Sequence, residues 1–187
     1  MIDRRSQRTR TLIFEAFNEL LREKRYSKIT VQDIILKANI GRSTFYSHFE
    51  TKDELLNETC KIIFAHVFSD DIIAEAYHNF TNEKNITAYI SHILYHLKED
   101  DKKIKSLFIY EDSGIFISRF KEYFKDYLLK IISIESIKGI SKSYLIDHIT
   151  CSFVDTIIWW LNNCKEETPE TIAKNYLYVI RPLIKED

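Results

Sequence analysis

In the first forty residues, apolar side chains recur every three or four positions, the spacing that places them on one face of a helix. The pattern predicts a helix from Arg5 to Lys24 and a second helix that begins after Thr30. Thr30 is a favourable N-cap, and Asp33 follows where a carboxylate can face the positive end of the helix. Asn39 tolerates the left-handed conformation that often ends a helix. The two apolar stripes consist of Ile13, Phe14, Phe17, Leu20 and Leu21, and of Val31, Ile34, Ile35 and Ala38.

A third helix is predicted from Arg42 to about Phe49, with Gly41 as its N-cap. Phe45 and Phe49 are four positions apart and should both point inward, because such pairs share one helix face. Two short helices joined by a tight turn, the second of which presents hydrogen-bonding groups, form a helix-turn-helix. The side chains predicted to point outward are those of Arg42, Ser43, Ser47 and His48.

The rest of the chain predicts a larger helical unit, because the same period continues and no segment alternates as a strand does. Three glycines and two prolines in 187 residues also favour long helices over frequent turns. The sequence therefore predicts an all-α fold of about nine helices with a boundary near residue 50. The six further helices are predicted at about residues 52–70, 86–98, 103–110, 115–134, 144–163 and 169–183.

Composition argues against secreted and membrane classes. Cys60, Cys151 and Cys164 are too far apart for a disulfide framework or a zinc motif, and reduced thiols are typical of the cytoplasm. The N-terminus has no apolar core of a signal peptide, and the longest apolar run, interrupted by Asp155, is too short to cross a bilayer. We therefore expect a cytoplasmic protein that does not enter a membrane.

Charge is unevenly distributed along the chain, although its net charge is only −1. Basic side chains outnumber acidic ones up to Asp53, whereas acidic ones are in excess in the remainder. A basic N-terminal segment followed by an acidic remainder is typical of a nucleic-acid-binding domain joined to another domain, but a chance distribution of charges could also produce it.

Residues 30–55, TVQDIILKANIGRSTFYSHFETKDEL, resemble the helix-turn-helix of TetR/AcrR-type transcriptional regulators and the start of their fourth helix. The resemblance implies a DNA-binding domain at residues 1–50 and a helical ligand-binding and dimerisation domain at 51–187. It also implies a homodimeric repressor that binds a near-palindromic double-stranded operator and is released by an unidentified small-molecule effector, without a cofactor. The matching positions are Thr30, Ala38, Thr44, Phe45, Tyr46, His48, Phe49, Lys52, Asp53 and Leu55.

The resemblance assigns each polar side chain of this segment a role. Base edges in the major groove are read by a few projecting side chains, of which an arginine can bond guanine bidentately, so Arg42 is the leading candidate. Arg4, Arg5 and Arg8 are predicted to form a disordered basic arm that either contacts DNA or stays solvated. The side chains expected at base edges are Arg42, Ser43, Thr44 and Ser47, and those expected at phosphates are Thr30, Tyr46, His48 and Lys52.

This segment departs from the family pattern at three positions. Asn39 and Ser43 stand where the family commonly has glycine, and Gly41 stands where it commonly has serine. Because Gly41 lacks a capping hydroxyl and Ser43 adds a side chain, a second hypothesis stays open. In that hypothesis the chain is a TetR-like scaffold or co-regulator that acts through a protein partner without binding an operator itself.

Aromatic side chains recur at helical spacing through the central helices, where most should form core. By analogy with the family, some of them line an effector pocket with histidines as orienting groups. His92 and His96 lie four apart, a spacing that could hold a metal, but no third ligand follows at a suitable distance, so no metal site is predicted. The predicted pocket residues are Phe64, Phe68, Tyr89, His92, Tyr95, His96, Phe120 and Phe124.

The segments FVDTIIWWLNN and TPETIAKNYLYVI resemble the last two helices of one TetR subgroup, which usually form a dimer interface. Trp159 and Trp160 are adjacent, so they point about 100° apart on a helix. We expect one tryptophan to pack within its own subunit and the other to meet a partner; burial of both within a monomer is the alternative. The residues predicted for the interface are Phe153, Ile157, Trp160, Tyr176 and Ile180.

The sequence contains no catalytic constellation. No serine lies in a nucleophile elbow, and no glycine-rich loop could cradle a phosphate. The chain is therefore not predicted to be an enzyme.

Overall fold

A computed structural model describes residues 4–68, 86–99, 101–109, 114–131, 139–164 and 166–183. These ranges contain nine α-helices and no strand, which confirms the predicted all-α fold. The helices are α1 (Arg4–Glu23), α2 (Val31–Ala38), α3 (Arg42–Tyr46), α4 (Lys52–Val67), α5 (Ile86–Glu99), α6 (Asp101–Phe108), α7 (Gly114–Ile131), α8 (Lys142–Asn163) and α9 (Pro169–Ile180).

The chain groups into two compact units. The first consists of Met1–Ile62 and Lys102–Ile117. In it, α1 packs against α2 and α2 packs against α3. The predicted stripes form its core, because Ile13, Phe17 and Ile34 are fully buried. Burial of each such side chain favours the folded state by about 1.5–3 kcal/mol.

The second unit consists of Ile63–Asp101 and Ser118–Asp187. Helix α9 packs against both α5 and α8. The core contains stacked rings, among which Phe124 and Phe153 have centroids 4.2 Å apart. The predicted boundary near residue 50 separates a DNA-binding domain from a ligand-binding domain. A grouping of residues by packing does not test such a functional division, so the boundary stays a prediction.

Helix α1 begins at Arg4, one residue before its predicted start at Arg5. Arg4, Arg5 and Arg8 lie in its first turns, so the prediction of a disordered basic arm was wrong. The physical reason is that arginine and glutamine are good helix formers and that no glycine or proline separates Arg4 from the apolar stripe. The three guanidinium groups are exposed along the start of a helix.

Helix α3 is shorter than expected, since it ends at Tyr46. The chain nevertheless keeps turning, because the amides of His48 and Phe49 both donate to the carbonyl of Phe45, at 2.9 and 3.0 Å. The last turn therefore combines one hydrogen bond between residues three apart, as in a 3₁₀ helix, with one between residues four apart, as in an α-helix. Such turns are common at helix ends. Both predicted aromatic anchors stay inward.

Helix α4 runs from Lys52 to Val67. Its buried residues include Leu55, Leu56 and Val67, whereas Ile62 is 58% exposed. Ile62 follows Cys60 by two positions, and two positions rotate a side chain about 200°, to the side opposite the core. The predicted helix ends near residues 70, 110 and 134 lie outside the described residues.

Among the described residues, no helix is long and apolar enough to span a bilayer.

Candidate nucleic-acid interface

The start of α2 is fixed by a reciprocal cap. The Thr30 hydroxyl accepts a hydrogen bond from the Asp33 amide at 3.1 Å, and the Asp33 carboxylate accepts one from the Thr30 amide at 2.8 Å. Lys24 also lies 2.8 Å from this carboxylate. The Lys24 ammonium first, and then the Thr30 amide and hydroxyl, lower the pKa of Asp33 from 3.8 to about 2. The predicted cap is confirmed, and Thr30 itself is exposed.

The turn between α2 and α3 depends on Asn39, which has a φ of 50°. Asparagine tolerates this left-handed conformation better than most residues, so it can serve here where glycine is common. The next amide, that of Ile40, donates to the carbonyl of Ile35 at 3.2 Å and closes the end of α2. This turn sets the direction in which α3 leaves.

Two buried rings anchor the α3 segment. Phe45 and Phe49 are almost fully buried, and their centroids lie 6.0 Å apart. Phe14 of α1 meets Phe49 edge to face at 5.6 Å, and the Arg10 guanidinium lies 4.9 Å from the Phe49 centroid. Arg10 also forms an ion pair with Glu58 at 2.9 Å. These contacts hold the α3 segment against α1, and the Arg10–Glu58 pair joins α1 to α4.

The opposite side of α3 faces solvent, as predicted. Arg42, Ser43 and Ser47 are exposed, as is Tyr46, whereas Thr44 is partly buried. The Arg42 guanidinium lies 5.8 Å from the Tyr46 ring centroid. This cation–π contact limits the directions in which the guanidinium can point. His48, the remaining predicted side chain of this segment, is partly buried.

The Ser47 hydroxyl already has a partner. It donates to the carbonyl of Thr44 at 2.8 Å. A hydroxyl has one donor and two acceptor sites, so Ser47 in this conformation offers lone pairs only. At a base edge it would therefore pair with an amino group of adenine or cytosine.

Lys52 is engaged within the protein. Its ammonium donates to the carbonyls of Tyr26 and Ile29, at 3.1 and 2.9 Å, and lies 4.4 Å from the Tyr26 ring centroid. The Tyr26 hydroxyl in turn donates to the Asp53 carboxylate. Burial first, and then this bond, raise the pKa of Tyr26. We call Lys52, Tyr26, Ile29 and Asp53 the α4 clamp, because they join the start of α4 to the turn before α2.

Sequence reasoning missed the α4 clamp as a structural device. It assigned Lys52 to phosphate contact, yet two of the three ammonium N–H groups are occupied and one remains for a phosphate. Tyr26 lies between the first two predicted helices, where the local pattern gives no sign of this role. The sequence carries little sign of the α4 clamp, because the residues that bond to each other in it are more than twenty positions apart.

A surface cleft lies between α4 and α7 in the second unit. Its volume is about 490 Å³, and two of its lining residues, Phe64 and Phe68, belong to the predicted pocket set. Tyr123 and Asp126 line it too but were absent from that set, although Tyr123 and Tyr127 share one helix face. We call this cleft, lined by Phe64, Ala65, Phe68, Tyr123, Asp126, Tyr127 and Leu129, the aromatic cleft.

The other predicted pocket residues do not line the aromatic cleft. Phe120, Phe124 and His92 are buried in the helical core, whereas Tyr89, Tyr95 and His96 are partly buried. The rings of His92 and His96 meet edge to face at 4.4 Å. In the part of the chain that the structure describes, no three histidine, cysteine or acidic residues are grouped as metal ligands.

The predicted interface residues are largely internal. Phe153, Ile157 and Trp160 are almost fully buried within the chain, so they have no surface to offer a second copy. The Trp160 indole donates to the carbonyl of Glu167 at 3.2 Å. This part of the prediction is therefore corrected: the exposed tryptophan is Trp159, which is 50% exposed, against 1% for Trp160.

Trp159 borders a groove between α8 and α9. The groove has a volume of about 370 Å³. Tyr176 and Ile180, which were predicted for the interface, contribute to its lining although they are almost fully buried. The Tyr176 hydroxyl donates to the carbonyl of Ile149 at 2.8 Å. We call this groove, lined by Ser152, Asp155, Thr156, Trp159, Asn175, Tyr176, Val179 and Ile180, the α8–α9 groove.

Two sequence profiles match the chain. The profile for bacterial regulatory proteins of the tetR family matches residues 13–59, and the profile for a transcriptional regulator C-terminal region matches residues 84–182. A TetR transcriptional regulator from Streptococcus agalactiae is 35% identical, with a TM-score of 0.77 over 95% of this chain and 96% of that chain. The chain belongs to the TetR family of transcriptional regulators.

Other relatives place this regulator among proteins of differing roles. The uncharacterized HTH-type regulator YxbF of Bacillus subtilis is 28% identical over 94% of this chain but only 45% of its own length. The chain thus spans about half the length of that relative. The dhaKLM operon activator DhaS of Lactococcus lactis is 35% identical over 40% of this chain and 38% of its own length. NalD, a repressor of Pseudomonas aeruginosa, shares the fold with a TM-score of 0.61, at 19% identity over 99% of this chain and 100% of that chain.

Proposed function

We propose that this regulator binds double-stranded DNA sequence-specifically as a homodimer and represses transcription until a small molecule releases it. The observation that carries the proposal is the orientation of α3. Its aromatic side is clamped by Phe45 and Phe49, while Arg42, Ser43 and Ser47 protrude into solvent. A short helix held in this way is the device by which helix-turn-helix proteins enter a major groove.

Arg42 is the side chain to which we assign most of the base discrimination. Its guanidinium can bond the O6 and N7 atoms of guanine, and its contact with Tyr46 restricts its direction. Ser43, Thr44 and Ser47 would add contacts to neighbouring base edges. Thr30, Tyr46, His48 and the remaining N–H of Lys52 would bond phosphates and so fix the register of the helix on the duplex.

The α8–α9 groove is the surface that we assign to the second copy. Trp159 and Val179 expose apolar area beside it, and exposed apolar patches of this kind mark protein interfaces. A twofold dimer would place two copies of α3 in successive major grooves about 34–36 Å apart, on a near-palindromic operator.

Release would follow if an effector bound preferentially to a state in which the two copies of α3 no longer match that spacing. Helix α4 could transmit the change, because it begins at the α4 clamp and ends beside the aromatic cleft. The sign of regulation is part of the proposal, since the relatives include both an activator and repressors by name.

The test is operator selection from random duplexes followed by gel shifts of two variants. Arg42→Ala should lower affinity for the selected site by about 1–3 kcal/mol and leave random DNA nearly unaffected. Tyr46→Phe should weaken binding to both kinds of DNA alike, because it removes only the exposed hydroxyl assigned to a phosphate, and phosphates carry no sequence information. Lys61→Ala is the control, since Lys61 is exposed on α4 and pairs with Glu58.

Equal loss on selected and random DNA in Arg42→Ala would contradict the assignment of base reading. A reporter gene whose expression rises with the regulator would contradict repression. Salt dependence decides the scaffold hypothesis: an operator reader must lose affinity steeply as salt rises, because phosphate contacts release counterions. No duplex binding at low salt would favour a role through a protein partner.

A further inference from the structure

The aromatic cleft has a composition that selects for ligand charge. Four of its seven lining residues are aromatic, one is the carboxylate-bearing Asp126, and none is basic. Its volume of about 490 Å³ lies within the range of small-molecule sites. A site with this lining can distinguish a cation from a neutral molecule of the same shape.

The rings are close enough to act together. The centroids of Phe64 and Tyr123 lie 5.2 Å apart, and those of Phe68 and Tyr127 lie 5.5 Å apart. Phe68 and Tyr123 stack almost in parallel, at 6.3 Å and 17°. Phe68 and Tyr123 are only partly buried, so parts of their rings remain accessible. The negative face of an aromatic ring attracts a cation placed within about 6 Å of the centroid.

Asp126 adds a full negative charge at the edge of the cleft. It is exposed on α7 and has no ion-pair partner among the described residues. Its carboxylate therefore stays available to a positively charged molecule. An anion would face both this carboxylate and the ring faces, so anionic ligands are disfavoured.

We propose that the aromatic cleft binds an organic monocation, such as a quaternary ammonium group carrying an apolar substituent, with Asp126 as its counter-ion. The cation would lie against the Phe68 and Tyr123 rings, and the apolar part would contact Leu129 and Ala65. This proposal names a ligand class for the effector of the proposed function. Only its regulatory consequence rests on that function. The binding site itself can be tested without DNA.

The experiment measures binding of phenyltrimethylammonium and its neutral carbon isostere, tert-butylbenzene, to the full chain by ligand-observed NMR. We expect the cation to bind about tenfold more tightly than the isostere, because only the cation gains from the rings and the carboxylate. Asp126→Asn should reduce that preference about threefold or more, and salt should reduce it further. Asp147→Asn, an exposed aspartate on α8, is the matched control and should keep the full preference.

A second variant separates ring contacts from the carboxylate. Phe68→Leu keeps an apolar side chain but removes one π face, so it should weaken the cation more than the isostere; circular dichroism checks its folding. Equal binding of the two probes, an undiminished preference in Asp126→Asn, or no binding of either probe would overturn the proposed site.

Gel shifts with the selected operator then test the link to regulation. Loss of operator binding on addition of phenyltrimethylammonium, absent in Asp126→Asn, would support the site as an effector site. Cation binding that leaves DNA affinity unchanged would support the site but contradict its role in release. Failure of operator selection would contradict the proposed function. The NMR result would still decide whether the aromatic cleft binds the cation, because that measurement does not involve DNA.

Discussion

At the scale of single residues, Lys52 shows how a side chain in a DNA-binding motif also holds the motif together. Two of its hydrogen bonds reach backbone carbonyls more than twenty residues away. Hydrogen bonds from a charged group contribute more than neutral ones, typically about 1.5–3 kcal/mol. Lys52 thus contributes to folding whether or not DNA is present.

Lys52→Ala should therefore lower the free energy of unfolding by about 1.5–3 kcal/mol in urea denaturation. Lys61→Ala, on the same helix, removes only an exposed pair with Glu58 and should change it by no more than about 0.5 kcal/mol. Equal stability of the two variants would show that the α4 clamp does not stabilise the fold.

Asp33 gives the cap of α2 a dependence on pH. Its folded-state pKa of about 2 lies below its ordinary 3.8, so the ionised form is favoured by folding. Its contribution to stability is present above about pH 4 and is lost as the pH falls towards 2. Asp33→Asn removes this titration, so stability measured between pH 4 and 2 should fall less steeply than in the wild type. Asp147→Asn is the control, and parallel curves for Asp33→Asn and the wild type would contradict the prediction.

At the scale of elements, α3 is short and has no side-chain cap. Gly41 precedes it with a φ of −76° and a ψ of 154°, a conformation that serine also adopts. A Cβ atom at Gly41 would lie 3.5 Å from the Thr44 hydroxyl, an ordinary contact. The glycine is therefore not required by the backbone, although it weakens the start of the helix.

Gly41→Ser should raise the free energy of unfolding by about 0.5–1 kcal/mol, because serine caps helices and restricts the unfolded chain. Gly139→Ser is the contrasting control, since Gly139 has a φ of 89°, where a side chain is strained. Urea denaturation of both variants should move in opposite directions. A loss of stability in Gly41→Ser would contradict the capping argument.

At the scale of the whole molecule, two adjacent tryptophans have different roles: one stabilises the fold, and the other lies on the surface proposed for dimerisation. Trp160 is buried in the core of the second unit, while Trp159 is half exposed beside the α8–α9 groove. Removing the first creates a cavity, whereas removing the second changes only a surface.

Trp160→Ala should lower the free energy of unfolding by about 3–5 kcal/mol. Trp159→Ala should leave the fold of the subunit intact but shift sedimentation from dimer towards monomer. Tyr144→Ala, an exposed aromatic in the first turn of α8, is the control and should keep the dimer. A dimer undiminished in Trp159→Ala would remove the α8–α9 groove from the proposed interface.

The sequence by itself determined the helices and the outward side of α3. Periodicity and caps act over three or four residues, so the inward pair Phe45 and Phe49 and the cap at Thr30 could be read directly. The tertiary structure decided which tryptophan is buried, that Lys52 bonds Tyr26 and Ile29, and that Asp126 lies beside the rings of α4. These features join residues far apart in the chain, and local patterns carry no information on which helix faces meet.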